Sequence, residues 1–230
     1  MEEIQKAKAI SVWIFIIPFV GINTCLILIT EFHILYPNHE DIINSSFPYL
    51  DGSASISRTA RPFPNWIIFK LSMILTSFFL IKYWLLNGKI INLFDKDHKH
   101  QKKIVFFGIA SAIALTLHAV FLGIKFDNDL YKLFRRVVLL LFVFFEIIAQ
   151  TYLVITLYSF KHKLKNYIND VYLKIKFYLV STLIIVTILS LPIISLPGNK
   201  QIKHALEWNY FLGVIFFYML TFFMWKKKTN

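Results

Sequence analysis

A single cysteine, Cys25, stands in the whole chain of 230 residues, and it lies inside an apolar block. A lone cysteine excludes an internal disulfide and any cysteine-based zinc site, and it leaves the redox compartment unread. Acidic residues are also scarce, 13 against 25 Lys and Arg, for a formal net charge of +12. The chain holds no nucleophile elbow, phosphate-binding glycine loop, dinucleotide fingerprint or zinc-type histidine spacing. No linker, internal repeat or low-complexity segment divides it. These absences name no reaction and identify no catalytic residue, and no metal or cofactor is expected.

What fills the sequence instead is apolar: 57% of residues, 24 of them Phe, with a mean hydropathy of +0.60. They gather in long blocks, which marks an all-α polytopic membrane protein rather than a soluble domain. The excess charge fits the same class. Its lysines sit at the ends of apolar runs, where orientation signals and contacts with anionic lipid need them, so nucleic acid is not an expected partner.

Six blocks approach the length of about 20 residues that crosses a hydrocarbon core. They are Ile10 to Thr30, Trp66 to Leu86, Ile104 to Ile124, Val137 to Tyr158, Phe177 to Ile194 and Ala205 to Trp225. The first is too long for a signal peptide and lacks a small-residue cleavage site, so it reads as a retained helix, with Pro18 and Gly21 suggesting a bend. The N-terminus, second and fourth connectors and C-terminus carry 15 Lys and Arg, against 8 on the opposite side. Both termini are therefore expected in the cytoplasm, with the long first loop, Glu31 to Asn65, outside. The whole chain, 1–230, forms one domain.

Polar and turn-forming residues concentrate between Phe47 and Lys70, with Pro48, Gly52, Ser53, Ser55, Ser57, Arg58, Arg61, Pro62 and Pro64. Such a stretch beside a membrane is either a solvated connector or a lid over a site between helices. Within that loop Asn44-Ser45-Ser46 matches a glycosylation sequon, and Lys227-Lys228 near the C-terminus resembles a dilysine retrieval signal.

Ionisable groups inside spans are costly, so each asks for a partner or a purpose. Glu146 lies about ten residues into the fourth span, which at about 1.5 Å per residue puts it near the midplane. Gln150 follows one turn later on the same face. A carboxyl hydrogen-bonded to Gln150 competes there with a substrate or proton site. His118 stands two turns beyond Ser111, either satisfied by a hydroxyl or functional. Lys70 can snorkel to the outer interface or pair with Glu31 or Glu146, and Lys82 reads as an anchor. Glu207 opens the sixth span beside His204 and Trp208, where an acidic residue suits the helix dipole. His98-x-His100 reads as a solvated loop. Glu31, Asp51, Arg58, Arg61, Lys70, His118, Arg135, His204 and Glu207 all fall toward the outer side, Glu146 closes the set from below, and the inner half offers little comparable.

Three features carry a family resemblance: Pro48-Tyr49-Leu50 after the first span; Ser55-Ile56-Ser57 followed by Pro64 with Lys70 six positions on; and Glu207-Trp208 at the start of the last span. The chain resembles the six-helix membrane proteins that include the DRAM autophagy modulators, the post-GPI-attachment lipid-remodelling factor and the N-terminal domain of the yeast cell-wall protein that installs ceramide on GPI anchors. It differs from the DRAM type in having Asp51-Gly52 in place of Ser-Asp-Thr-Gly. The resemblance implies membrane-lipid handling, GPI-anchor remodelling, or signalling in membrane homeostasis.

The expectation is therefore a six-helix bundle that handles lipid, with a polar cavity on the outer side for a headgroup. Its candidate binding residues are Ser55, Ser57, Arg58, Arg61, Lys70, His118, Glu146, Gln150 and Glu207, and its expected partners are membrane lipids and other membrane proteins. A proton-coupled small-molecule transporter using Glu146, or a non-catalytic membrane scaffold, stands as the alternative.

Overall fold

The computed structural model describes residues 2–43, 47–124, 128–196 and 198–226. The Asn44 sequon and the Lys227-Lys228 signal lie outside the described residues. Among those described, six helices are long and apolar enough to cross a membrane. They are α1 (Glu2–Glu31), α4 (Asn65–Phe94), α5 (Gln101–Phe121), α6 (Asp129–Ser159), α7 (Asp170–Ser195) and α8 (Lys200–Met224), and between the first two lie short helices α2 (Pro48–Asp51) and α3 (Ile56–Ala60).

Most helices outrun the apolar blocks that announce them. Once a helix leaves the hydrocarbon its backbone bonds still close internally, while lysine and asparagine side chains reach water. The ends are set by local chemistry. Asn128 caps α6 by accepting from Leu130 N at 2.9 Å, Asn169 caps α7 by accepting from Val171 N at 3.0 Å, and an aspartate opens each first turn. Pro64 is the cap residue before α4. In α1 the helix continues through Pro18, and Gly21 marks a close crossing: a Cβ there would fall 2.1 Å from Ser72 Oγ of α4.

Each long helix packs against its neighbours in sequence, and α8 returns against α1, so the six form a closed ring. One end of the ring, here the terminal end, carries both termini and the α4–α5 and α6–α7 connectors. There Lys8 Nζ donates to Trp225 O at 2.5 Å, and Lys226 N donates to Tyr167 O at 2.9 Å. The opposite end, the loop end, carries the first loop and the α5–α6 turn, where Gly123 approaches Arg61 and Trp66. The core inside is aromatic, with Trp84, Trp208, Tyr83, Tyr218 and Phe217 fully buried.

Candidate functional site

Closing the ring leaves the inward faces no solvent, so polar side chains there must satisfy one another. Glu146 on α6 is fully buried. Ser111 Oγ of α5 lies 2.6 Å from its Oε2, Gln150 Nε2 donates to Oε1 at 3.0 Å, and the Tyr218 hydroxyl of α8 donates to Oε1. Gln150 Nε2 also donates to Val214 O at 3.2 Å, which ties α6 to α8 a second time. Ser111 has one hydroxyl proton and two acceptors in reach, Glu146 Oε2 and the Gly108 carbonyl at 2.8 Å. Donating to Gly108, it accepts from a protonated Glu146; turned the other way, it donates to a carboxylate. Rotation of one hydroxyl therefore accommodates either protonation state.

A second buried titratable group lies nearer the terminal end, where the sequence offers little beyond connectors. Lys176 sits inside α7, one turn and a half after Asp170, and is fully buried. Its Nζ donates to Thr221 Oγ1 at 2.6 Å and stands 3.7 Å from the centre of the Phe217 ring. Thr221 gives its own proton to Phe217 O at 3.0 Å and also meets the Tyr83 hydroxyl at 3.2 Å. The amino group thus has one hydrogen-bond acceptor and no carboxylate partner among the described residues. Tyr83 and Tyr218 pack edge to face, centroids 5.0 Å apart, so the lysine and glutamate networks back onto each other through two rings. Hydropathy hid this residue: Lys174 and Lys176 read as connector because the apolar run starts at Phe177. The signal that finds it is periodicity, since Leu173, Lys176, Val180 and Leu183 form one buried stripe.

The first loop is a docked lid rather than a solvated connector. Ala54 is fully buried, and Ile56, Thr59 and Ala60 of α3 face the bundle. Trp208 Nε1 donates to Ala54 O at 2.8 Å, Asn209 Nδ2 donates to Tyr49 O at 2.7 Å, and His204 Nδ1 meets Gly52 O at 3.0 Å. The Tyr49 ring lies 4.8 Å from that of Trp208. Gly52 has φ +58°, and a Cβ there would fall 1.8 Å from the Gln201 carbonyl oxygen. Glycine and serine, read as loop punctuation, are small enough to let this backbone lie against α8. Asn65, which sequence reasoning passed over, is the tie beneath: its Nδ2 donates to Cys25 O and Thr59 O, both at 2.8 Å, and its Oδ1 accepts from Tyr36 at 2.7 Å. Pro48-Tyr49-Leu50, Ser55-Ile56-Ser57 and Glu207-Trp208 therefore lie close to one another.

Several candidate residues serve this lid. Ser55 caps α3 by accepting from Arg58 N at 3.1 Å. Glu207 does not open its helix; α8 begins at Lys200, and the carboxyl two turns on faces the backbone N–H groups of Ile56 and Ser57. It therefore answers the dipole of α3 instead of its own. Arg58 is exposed on α3.

A third group lies where the lid meets α5 and α6. Arg61, an exposed residue overall, stands against the α5–α6 turn, and partial burial, then the charge of Arg135, hold its guanidinium below its ordinary value. His118 is buried beside the same Arg135 with its Nδ1 unbonded, its ring 6.3 Å from Phe69. The hydroxyl expected to satisfy it, Ser111, serves Glu146 instead. Arg135 also holds a buried, unbonded Nε. None of the three pairs with a carboxylate among the described residues.

Lys70 pairs with no glutamate and lies 4.8 Å over the Trp66 ring; Lys82 lies 4.1 Å over Phe78. His98 is packed rather than solvated, between Asp95 Oδ2 at 3.1 Å and Thr156 Oγ1 at 3.3 Å. Among the described residues no cluster of metal-ligating side chains occurs. No family model matches the chain, and neither a curated protein nor a solved structure matches it.

Proposed function

We propose that this integral membrane protein handles lipid, binding a phosphate-bearing headgroup at its loop end through Arg61, Arg135 and His118. The observation that carries the reading is the convergence of two guanidinium groups and a buried imidazole that pair with no carboxylate among the described residues. Like charges gathered without a counterion cost stability, and a bound phosphate repays that cost with charge-assisted hydrogen bonds. Arg61 closes α3, so the end of the lid borders this region, and with the loop end outside the cytoplasm the ligand enters from the outer leaflet. Resemblance to the GPI-anchor remodelling proteins supports the same class, as remodelling protein or accessory factor, since the stretches that carry it build the lid.

A second reading, a proton-coupled carrier, is favoured by Glu146 and Lys176, two fully buried titratable groups with no direct bond between them. The two readings separate by experiment. Phosphatidic acid should raise the melting temperature of the detergent-solubilised protein more than diacylglycerol, which lacks the phosphate, and Arg61→Gln with Arg135→Gln should erase part of that preference. Cells lacking the protein should show altered lipid species that the wild type restores and the double variant does not. A normal lipid profile, together with proton-dependent solute flux in proteoliposomes, would replace lipid handling by transport.

A further inference from the structure

At the terminal end, α5 and α6 enclose an open groove of about 360 Å³, lined by Lys102, Lys103, Phe106, Phe107 and Tyr152. We propose that it binds the headgroup of an anionic phospholipid from the leaflet on that side. The site is separate from Arg61 and Arg135, at the opposite end of the bundle, and does not rest on the reading given to them.

The layering of the groove identifies the occupant. Lys102 and Lys103 stand in the first turn of α5, and Phe106 and Phe107 stand one turn deeper, about 6 Å toward the hydrocarbon. Cations at the interface above aromatic rings match a phosphate above the first acyl carbons. A nucleic acid or a soluble acidic peptide has no use for the apolar floor. Lys103 Nζ lies 5.5 Å from the Tyr152 ring centre, and Tyr152 stacks on Phe107 with centroids 6.3 Å apart, so the wall is preformed. Among the described residues no acidic side chain lines the groove. The nearest element, the α4–α5 connector, turns its Asp95 to His98. On the other side of Tyr152 the His100 ring packs at 4.9 Å, with its Nδ1 buried and unbonded. Burial first, then the charges of Lys99, His98 and Lys103, hold that imidazole below its ordinary range, which marks the rim as electropositive. Basic pockets between membrane helices recognise acidic lipid headgroups through this combination of fixed charge and adjacent apolar surface.

The test uses the full chain in neutral detergent, titrated with phosphatidylglycerol, phosphatidylcholine or inorganic phosphate, with melting temperature and native mass spectrometry as readouts. Phosphatidylglycerol should raise the melting temperature and remain bound. Lys102→Gln with Lys103→Gln should weaken that binding about thirtyfold, on the scale expected for two lysines beside an anionic surface. Both lysines are exposed on a helix surface, so the variant folds. Lys165→Gln with Lys174→Gln removes the same charge from the α6–α7 connector and the start of α7, at the same end, and should leave binding unchanged. Equal weakening in that control would reduce the effect to overall charge and overturn the proposal. So would an equal response to phosphatidylcholine, or stabilisation by inorganic phosphate alone to the same level. Loss of the Arg61 and Arg135 side chains should leave part of the phosphatidylglycerol response, the part that Lys102 and Lys103 control.

Discussion

The interior of the bundle and its loop end treat polar groups in opposite ways. Around Glu146 both carboxyl oxygens are bonded, by residues of three helices. Around Arg61, Arg135 and His118 two buried nitrogens have no partner among the described residues and the two guanidinium groups repel. Neighbours satisfy both oxygens of the Glu146 carboxyl, even though Gln150 Oε1 and Trp84 Nε1 close by stay buried without a partner among the described residues, which makes the carboxyl part of what fixes the helices in register. The loop-end group is left incomplete by the fold, and an incomplete cationic group is where a ligand anion adds most. Lys176 stands between them: buried like Glu146, yet with a single acceptor for its amino group.

Removing the acceptor from the satisfied group should have the largest effect. Glu146→Leu leaves Tyr218, Gln150 and Ser111 without their common partner, and should cost about 2–4 kcal/mol of stability in detergent, allowing for the modest worth of hydrogen bonds between membrane helices. Glu146→Gln keeps the shape and a carbonyl acceptor and should stay within about 1 kcal/mol of wild type. Similar losses in both would show that packing, not the acceptor, holds this centre. Function then divides along the same line: a stable, inactive Gln variant supports a carboxyl that titrates at work, and a fully active one reduces Glu146 to a bridge.

The lid should yield next, and locally. Gly52→Ala forces a Cβ onto the Gln201 carbonyl at a positive φ and should cost about 2 kcal/mol. Limited proteolysis should cut the first loop of that variant while the bundle stays intact; an uncut loop would mean that α8 gives way instead. The lid also has a pH limit. Burial pushes the Tyr36 hydroxyl up to about 12, against an ordinary value near 10. A folded pKa raised above the unfolded one gives stability that is full below about pH 10 and is lost as pH rises through about 12. Loop cleavage should therefore increase across that window, and Tyr36→Phe should abolish the increase.

Much of this was legible in the sequence, and the parts that were not share a cause. Six spans, their order and the pairing of Glu146 with Gln150 follow from block length and helical spacing, both properties of a single segment. The lid was half legible. Its composition marks a turn-rich stretch, but Asn65 and Glu207 act on segments distant in the chain, and no local pattern reports that. Lys176 was missed because hydropathy averages over a window and so assigns a charge beside an apolar run to the connector. The cationic group was legible as scattered arginines and a histidine; that Arg135 lies beside both Arg61 and His118 depends on the closing of α5 onto α6 beside the end of the lid.

Lys176 tests whether burial alone makes a polar group structural. Replacing it with Met keeps the volume over Phe217, and Thr221 retains its bonds to Phe217 O and Tyr83. Stability should hold or rise by about 1 kcal/mol, since a buried amino group with one acceptor and no counter-charge among the described residues is costly to the fold. A clear loss would place Lys176 with Glu146 among the groups that hold the bundle together. A stable but inactive variant would give the lysine a working role and strengthen the proton-coupled reading.

The smallest change in stability, and the most informative about the ligand, should come from the loop-end arginines. In the free protein Arg61→Gln or Arg135→Gln removes one of two repelling charges, so each should leave stability within about 0.5 kcal/mol of wild type or raise it slightly. The effects should not add, because either substitution alone relieves the same repulsion and the second has nothing left to relieve. Added phosphate supplies the missing counter-charge and should stabilise the wild type beyond what chloride does at equal ionic strength, since screening acts on both salts alike and coordination acts on one. In the double variant the two salts should become equivalent. Additive single effects would mean that the two guanidinium groups do not sense each other. A phosphate preference surviving in the double variant would move the anion site to other residues, with the Lys102–Lys103 groove at the opposite end the first to examine.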